Sequence, residues 1–304
     1  MKYRVPPFQG RVLVTGGSSL LGKYLRATQP QGVEAVYTWC NTIQPWCAHR
    51  MDVRELTRDV RYVFGKVKPQ AVIHMGSWGS VDGCQRDYRP AWQVNVEGTR
   101  NILKAAADYE AQVLLTSTNA VFDGQHAPYA EEADRDPINS YGKMRERAEN
   151  EVVDYRYKWQ VARLFLLYGW EPAGARDNWA SKAVRRLGAG DRLKMADDVY
   201  YMPSYAGDVA RVLWALLGQG QGVYHVAGDD RVTLHQFVVS VAETWQLDPS
   251  LVEPVPFAEL AKEFKLAPRP ADTAYDLSKA RMFGLGCRGI VEGLAAMRDE
   301  DGSQ

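Results

Sequence analysis

The sequence predicts an α/β fold, a parallel sheet doubly wound with helices on both faces and joined to a smaller, mostly C-terminal domain. Three observations predict it. Short β-branched runs alternate with helical stretches through the first half, a glycine-rich turn joins the first strand to the first helix, and the second half loses this rhythm. Short apolar runs separated by helical stretches are what a sheet buried on both faces demands.

Taken in order, strands are expected at 11–15 (RVLVT), 34–38 (EAVYT), a third short run ahead of Asp52, 71–74 (AVIH) after Pro69, 112–117 (QVLLTS) and 160–167. Long helices are expected at 91–109 and 140–157. Gly, Pro and Asp clusters then break the chain near 169–178, 197–204, 218–222 and 267–272. The expected division is 1–168 and 169–304, with segments around 200–230 returning to the first part. The acidic tail after Arg298 is expected to fray.

Composition excludes several classes. The chain has 304 residues, 46% hydrophobic and 24% charged, enough for a core without disulfide or metal staples. Lys plus Arg equals Asp plus Glu at 37 each, so charge offers no case for a nucleic-acid or membrane partner. No apolar run approaches the roughly 18 residues of a membrane span, and residues 1–10 do not read as a signal peptide. Cys40, Cys47, Cys84 and Cys287 lack metal-ligand spacing. Reduced thiols, no metal and a cytoplasmic location are the expectations.

The first strand runs into Thr15-Gly16-Gly17-Ser18-Ser19-Leu20-Leu21-Gly22. Glycines between strand and helix let the backbone approach a pyrophosphate, which then sits at the helix N-terminus. Gly16 would make the tight turn and Gly22 would let the helix pack on the sheet, with Ser18, Ser19, Leu20 and Leu21 completing the contact. This is the Rossmann arrangement, so 1–168 reads as dinucleotide-binding and 169–304 as mainly substrate-binding. A regular Gly-x-x-Gly-x-x-Gly spacing would put glycine at 19; Ser19 either crowds the pyrophosphate or hydrogen-bonds to it. NAD selectivity usually needs a carboxylate at the end of the second strand. That end reads Thr38-Trp39-Cys40-Asn41-Thr42, so NADP(H) is favoured over NAD(H), with Asn41 near the ribose, although no arginine is evident for the extra phosphate. Asp52 and Val53 either meet the adenine or begin a helix, Asp52 then being its N-cap. Met75 and Gly76 end the fourth strand beside the cofactor path, after His74, which reads as a packed histidine rather than a base.

Three further segments complete the pattern: Val94-Asn95-Val96-Glu97-Gly98-Thr99, Ser117-Thr118-Asn119-Ala120-Val121-Phe122-Asp123-Gly124 and Asn139-Ser140-Tyr141-Gly142-Lys143-Met144-Arg145. With the strand at 163–169, the Asp208-Val209-Ala210 and 222–228 segments, Arg269-Pro270 and Leu277-Ser278-Lys279, their order resembles the extended short-chain dehydrogenase/reductase superfamily. Within it the chain resembles the dTDP-4-dehydrorhamnose reductase branch, whose hallmark Ser-Thr-Asp-Tyr-Val-Phe-Asp-Gly is matched apart from Asn119 and Ala120.

The resemblance implies an NADP-dependent reductase of a nucleotide-linked 4-keto-deoxysugar, with that small molecule as its partner; a homodimer is compatible but not specified. Tyr141 would protonate the carbonyl oxygen and Thr118 would hold it. The family's lysine, four residues past the tyrosine, is Arg145 here. Lys143 could replace it only if the helix started after a non-helical Tyr141, because two helical residues on points away from Tyr141 whereas four on shares its face. Arg145 keeps the positive charge but cannot easily relay a proton. Asn95 would steady the active-site backbone and 77–82 would form a loop near the substrate. Asn119, Asn178 and Arg269 would contact the substrate, Arg269 at a diphosphate. Tyr200, Tyr201 and Trp179 line a nucleoside slot or belong to the core. Two alternatives remain open: a catalytically impaired NADP-binding regulatory protein, like the regulatory subunit of methionine adenosyltransferase, or an epimerase or dehydratase with a retained cofactor.

Overall fold

A computed structural model describes residues 7–301. Among the described residues, seven parallel strands form the central sheet: β1 Gly10–Thr15, β2 Val33–Trp39, β3 Cys47–Arg50, β4 Ala71–His74, β5 Gln112–Thr118, β6 Trp159–Leu164 and β7 Gly222–Val226. Their order is β7-β6-β5-β4-β1-β2-β3.

The central strands carry apolar side chains on both faces because alternate ones feed two different cores. Val12, Val14, Ala71, Ile73 and Leu114 face one side, where they meet Leu21 and Leu25 of α1 (Leu20–Ala27). Leu13, Val72, Val113 and Leu115 face the other. There they meet Ile102 of α2 (Gly98–Ala107) and Ala148 and Val152 of α3 (Ser140–Val153). Each large apolar side chain so buried contributes about 1.5–3 kcal/mol. The strand order reverses between β1 and β4, so the connections leaving their C-terminal ends part and open a crevice at that edge.

Beyond β6 the chain forms α4 (Trp179–Gly188), α5 (Ala206–Leu216), α6 (Leu234–Thr244) and α7 (Ile290–Asp301) with three two-stranded pairs. Between α5 and α6, β7 rejoins the main sheet beside β6. The Trp214 indole of α5 donates to the Leu25 carbonyl of α1 at 3.0 Å. No helix among the described residues is long and apolar enough to cross a membrane.

Three expectations need correction. The helix expected at 91–109 is divided: Tyr88–Trp92 leads into a wide turn at Gln93–Glu97, where the Gly98 N–H reaches back to the Gln93 carbonyl, before α2 begins. The strand expected at 160–167 stops at Leu164, because Leu167–Tyr168 leaves the sheet to pair with Ser204–Tyr205. The tail does not fray directly after Arg298, since α7 continues to Asp301. Glu300 accepts the Tyr24 phenol of α1 at 2.8 Å and the Tyr205 phenol as well. Residues 302–304 of that tail, like 1–6, lie outside the described residues.

Glu300 therefore ties the last helix to the first. Glu300→Ala leaves the phenols of two buried tyrosines without their Glu300 acceptor, a loss of about 1–3 kcal/mol. We expect thermal unfolding followed by circular dichroism to show a Tm several degrees lower.

Candidate active site

The crevice wall is built of glycines for steric reasons. Gly16 has φ +68°, and a Cβ there would stand 3.0 Å from the Gly76 nitrogen and 3.1 Å from the Met75 carbonyl carbon. A Cβ on Gly22 would collide with the Gly17 carbonyl, so helix and turn pack backbone to backbone. Ser19 is the N-cap of α1, its hydroxyl accepting the Gly22 N–H at 3.3 Å. That gives a Cβ-bearing residue a use at the glycine position. Ser18 and Leu20 are half-buried, whereas Leu21 is 5% exposed with its side chain in the core, leaving only backbone groups to a ligand.

Thr15 closes the other wall. Its hydroxyl oxygen accepts the N–H groups of Met75 (3.1 Å) and Gly76 (3.0 Å), which leaves its own proton for His74 Nδ1 at 2.7 Å. His74 Nε2 then donates to Thr99, and Thr99 to the Asn95 carbonyl. Burial, with the nearby Arg145 charge, pushes the His74 pKa down to about 3. This histidine is a neutral packing residue.

At the end of β2, Asn41 is exposed. Asp52 is buried, and its carboxylate accepts the Arg54 N–H (3.0 Å) and pairs with the Arg54 guanidinium at 2.6 Å; it closes a turn and is not the cap of the next helix, which begins at Leu56 after Glu55. Val53 packs against Gly76 and Gly98, where added Cβ atoms would approach to 3.3 and 2.6 Å. Sequence reading found no arginine here, yet Arg50 and Arg54 both act electrostatically on Cys40, just past β2, and each is half-exposed. Arg50 lies in register with Trp39, a β2–β3 pairing that no local pattern announces.

The expected catalytic residues Thr118, Tyr141 and Arg145 meet at the C-terminal end of β5. Asn139 caps α3 by accepting the Gly142 N–H at 2.8 Å, so Tyr141 already lies inside the helix. Lys143 consequently points to solvent, while Arg145 is 2% exposed on the Tyr141 side. A Cβ on Gly142 would strike the Ala120 carbonyl, which is how α3 presses on the turn after Thr118. A hydrogen bond from Thr118 and the Arg145 charge both favour the Tyr141 phenolate, but burial outweighs them and holds the pKa above the usual 10. Arg145 donates to the Thr116 carbonyl, its buried Nε has no partner, and no carboxylate pairs with it among the described residues. The nearest buried carboxylate, Glu149, is spent on Arg163 (2.9 Å), Arg135 (3.1 Å) and the Ser117 hydroxyl. Asn95, in the wide turn before α2, takes the Trp78 N–H at 2.8 Å and returns a bond to the Trp78 carbonyl, fastening residues 77–80 directly, while Val81 and Asp82, expected in the same loop, instead begin the short helix Val81–Arg86.

The segment 267–273, which holds the expected substrate contact Arg269, crosses the end of β5 and the start of α3. Asn139 donates to the Pro268 carbonyl (3.0 Å) and Asn119 to the Thr273 hydroxyl (2.7 Å). Gly124, at φ +86°, lies so close to Pro270 that a Cβ would stand 2.6 Å from it. Arg269 pairs with both oxygens of Asp82, each at 2.9 Å. Asn178 caps α4, accepting from Ala180 and Ser181 and donating to the Gly169 carbonyl and Glu171, so its amide is fully engaged within the protein. Tyr201 and Trp179 pack against the core, and Tyr200 lies under Arg231 at 3.5 Å. No group of acidic, His or Cys side chains among the described residues is arranged to hold a metal ion.

A guanidinium buried without a counter-charge is costly, and apolar replacements of buried charges are often neutral or stabilising by about 1–4 kcal/mol. Arg145→Met should therefore melt no lower than the parent protein without ligand, and up to several degrees higher, in differential scanning calorimetry. A fall of several degrees would mean that Arg145 is a structural support.

Known proteins resemble this chain over nearly its full length. A probable low-salt glycan biosynthesis reductase of Haloferax volcanii is 29% identical, covering 90% of this chain and 92% of its own. Methionine adenosyltransferase 2 subunit beta of Pongo abelii is 26% identical over 93% and 87%. In fold, the chain resembles the dTDP-4-dehydrorhamnose reductase of Bacillus anthracis solved in complex with NADP. The TM-score is 0.85 at 23% identity, covering 96% of this chain and all of that one. The model of the RmlD substrate binding domain matches residues 10–301, and the chain belongs to that family.

Proposed function

We propose that this protein is an NADP-dependent reductase of a nucleotide-linked 4-keto-deoxysugar. The observation that carries the reading is the convergence of Thr118, Tyr141 and Arg145 at the end of β5, beside a glycine-walled crevice. Two features fit a dinucleotide: the tight backbone packing of strand, turn and helix that Gly16 and Gly22 allow, and the unpartnered Nε of Arg145. The Gly16–Gly22 backbone would hold the pyrophosphate at the α1 N-terminus, and Met75 and Gly76 would line its path. Arg50 and Arg54 would lie at the adenosine end, and Arg145 would meet the nicotinamide ribose. A similar reductase, a structural neighbour in complex with NADP and membership of the family support this reading.

Bound dihydronicotinamide supplies the hydride that reduces the keto carbon. Tyr141, kept protonated by burial, gives its phenol proton to the carbonyl oxygen, and Thr118 donates a hydrogen bond to the same oxygen. Arg145 stabilises the phenolate left behind but does not pass a proton on. Reprotonation therefore uses a donor other than Arg145. Because the Tyr141 pKa is raised, its acid form is fully present through neutral pH and is lost only as pH climbs past 10.

Tyr141→Phe should lower kcat by about 10²–10⁴-fold without weakening NADPH binding, measured as loss of NADPH absorbance with dTDP-4-keto-6-deoxysugars. The rate of the parent enzyme should be flat through neutral pH, with its fall on the alkaline side above pH 10. The similarity to a methionine adenosyltransferase subunit, together with arginine at position 145, favours a second reading, a cofactor-binding protein without turnover. Arg145→Lys separates the two. Activity in both proteins supports the reductase, and activity confined to the lysine variant supports the binding protein.

A further inference from the structure

The geometry points to Asp82 as a specificity-determining residue: a carboxylate of the protein that occupies the Arg269 guanidinium and yields it to a phosphate group of the ligand. This rests on reading the substrate as a nucleotide-linked sugar.

Asp82 lies in the first turn of the short helix Val81–Arg86, on the wall of the site opposite the 267–273 segment. Its two oxygens both take Arg269 Nη2, and Oδ1 also takes the Ala267 N–H at 2.9 Å. The pair differs in kind from the deeply buried Arg163–Glu149 pair, whose side chains are 3% and 1% exposed. Arg269 and Asp82 are 19% and 33% exposed, so water and a ligand can reach them. Such a pair is individually weak and exchangeable.

The pair is not what holds the segment in place. The 267–273 segment is anchored by the Asn139–Pro268 and Asn119–Thr273 hydrogen bonds, by the close approach of Gly124 to Pro270, and by the Tyr200 N–H to the Ala271 carbonyl at 2.8 Å. Arg269 is itself oriented by donating Nη1 to the Ala267 carbonyl at 2.7 Å. Removing the Asp82 charge therefore leaves a guanidinium already aimed and free on its Nη2 edge.

A single carboxylate offers one negative charge at that edge. A diphosphate offers more than one, with several oxygens able to meet the planar donors in pairs. Exchange thus favours a diphosphate, whereas a neutral sugar or a monocarboxylate lacks the charge to displace Asp82. The internal carboxylate lowers affinity for every anion but leaves the polyanionic ones ahead.

The test is calorimetric titration of UDP and dTDP into NADP-saturated protein, comparing the parent with Asp82→Asn, Asp82→Ser, Arg269→Gln and the Asp82→Asn/Arg269→Gln double variant. Removing the Asp82 charge should tighten nucleoside diphosphate binding by about three- to tenfold, the range expected for a partly exposed bidentate pair. Arg269→Gln should weaken it, and the double variant should bind no better than Arg269→Gln alone. Unchanged NADP affinity shows that each variant is folded, and either Asp82 substitution suffices for the comparison. If the parent binds UDP or dTDP and both Asp82 variants bind no tighter, Asp82 only positions Arg269 and the inference is overturned by itself. If NADP binds but neither the parent nor the Asp82 variants bind UDP or dTDP, the nucleotide-sugar reading falls with it.

Discussion

Arg145 carries its charge into a place where no carboxylate among the described residues answers it, and the rest of the site is arranged around that imbalance. Its neighbours are a backbone carbonyl, a neutral histidine, a thiol and the Tyr141 phenol. Each available negative group is engaged elsewhere: Glu149 by Arg163 and Arg135, Asp82 by Arg269. The positive potential at the end of β5 is thus left for whatever enters the crevice. In a low-dielectric site, such a fixed charge acts more strongly on a developing phenolate than it would in water.

The surrounding polar groups keep this arrangement rigid. The Thr15–His74–Thr99–Asn95 chain couples the end of β1 to the end of β4 and to the turn before α2, with hydrogen bonds oriented in one direction. The side chain of Asn95 continues the chain to the Trp78 backbone. A network so fully satisfied fixes side-chain geometry, whereas a half-satisfied one would add a second unmet demand beside Arg145. Glycine at 16, 22 and 142 does the matching work for the backbone, allowing strand ends and helix starts to approach more closely than any side chain permits.

Much of the fold was legible because it depends on local pattern. The run 71–74 is a strand with those same ends, and the turn at 16–22 joins strand to helix as its glycines imply. Helical periodicity alone separated Lys143 from Arg145. What escaped the sequence is what depends on partners far along the chain. Arg50 and Arg54 reach the end of β2 through strand pairing and the turn that follows it, and Asp82 meets Arg269 across 187 positions. The wide turn at Gln93–Glu97 costs the helix its regular hydrogen bonds for the sake of Asn95 and Trp78, a contact that helix propensity cannot register. Asn178 was recognised as the start of a helix, but its amide is spent on that cap and on the 169–171 segment.

The link from Tyr24 to Glu300 has a consequence for how the molecule comes into being on the ribosome. β1, the glycine-rich turn and α1 are made well before α7, yet the phenol on α1 finds its acceptor only when that helix has been made. The edge strand β7 and the Trp214 bond to α1 also come from late in the chain. Domains often fold in order of synthesis. Here α1, and the turn ahead of it, gain their final brace only once α7 has been made.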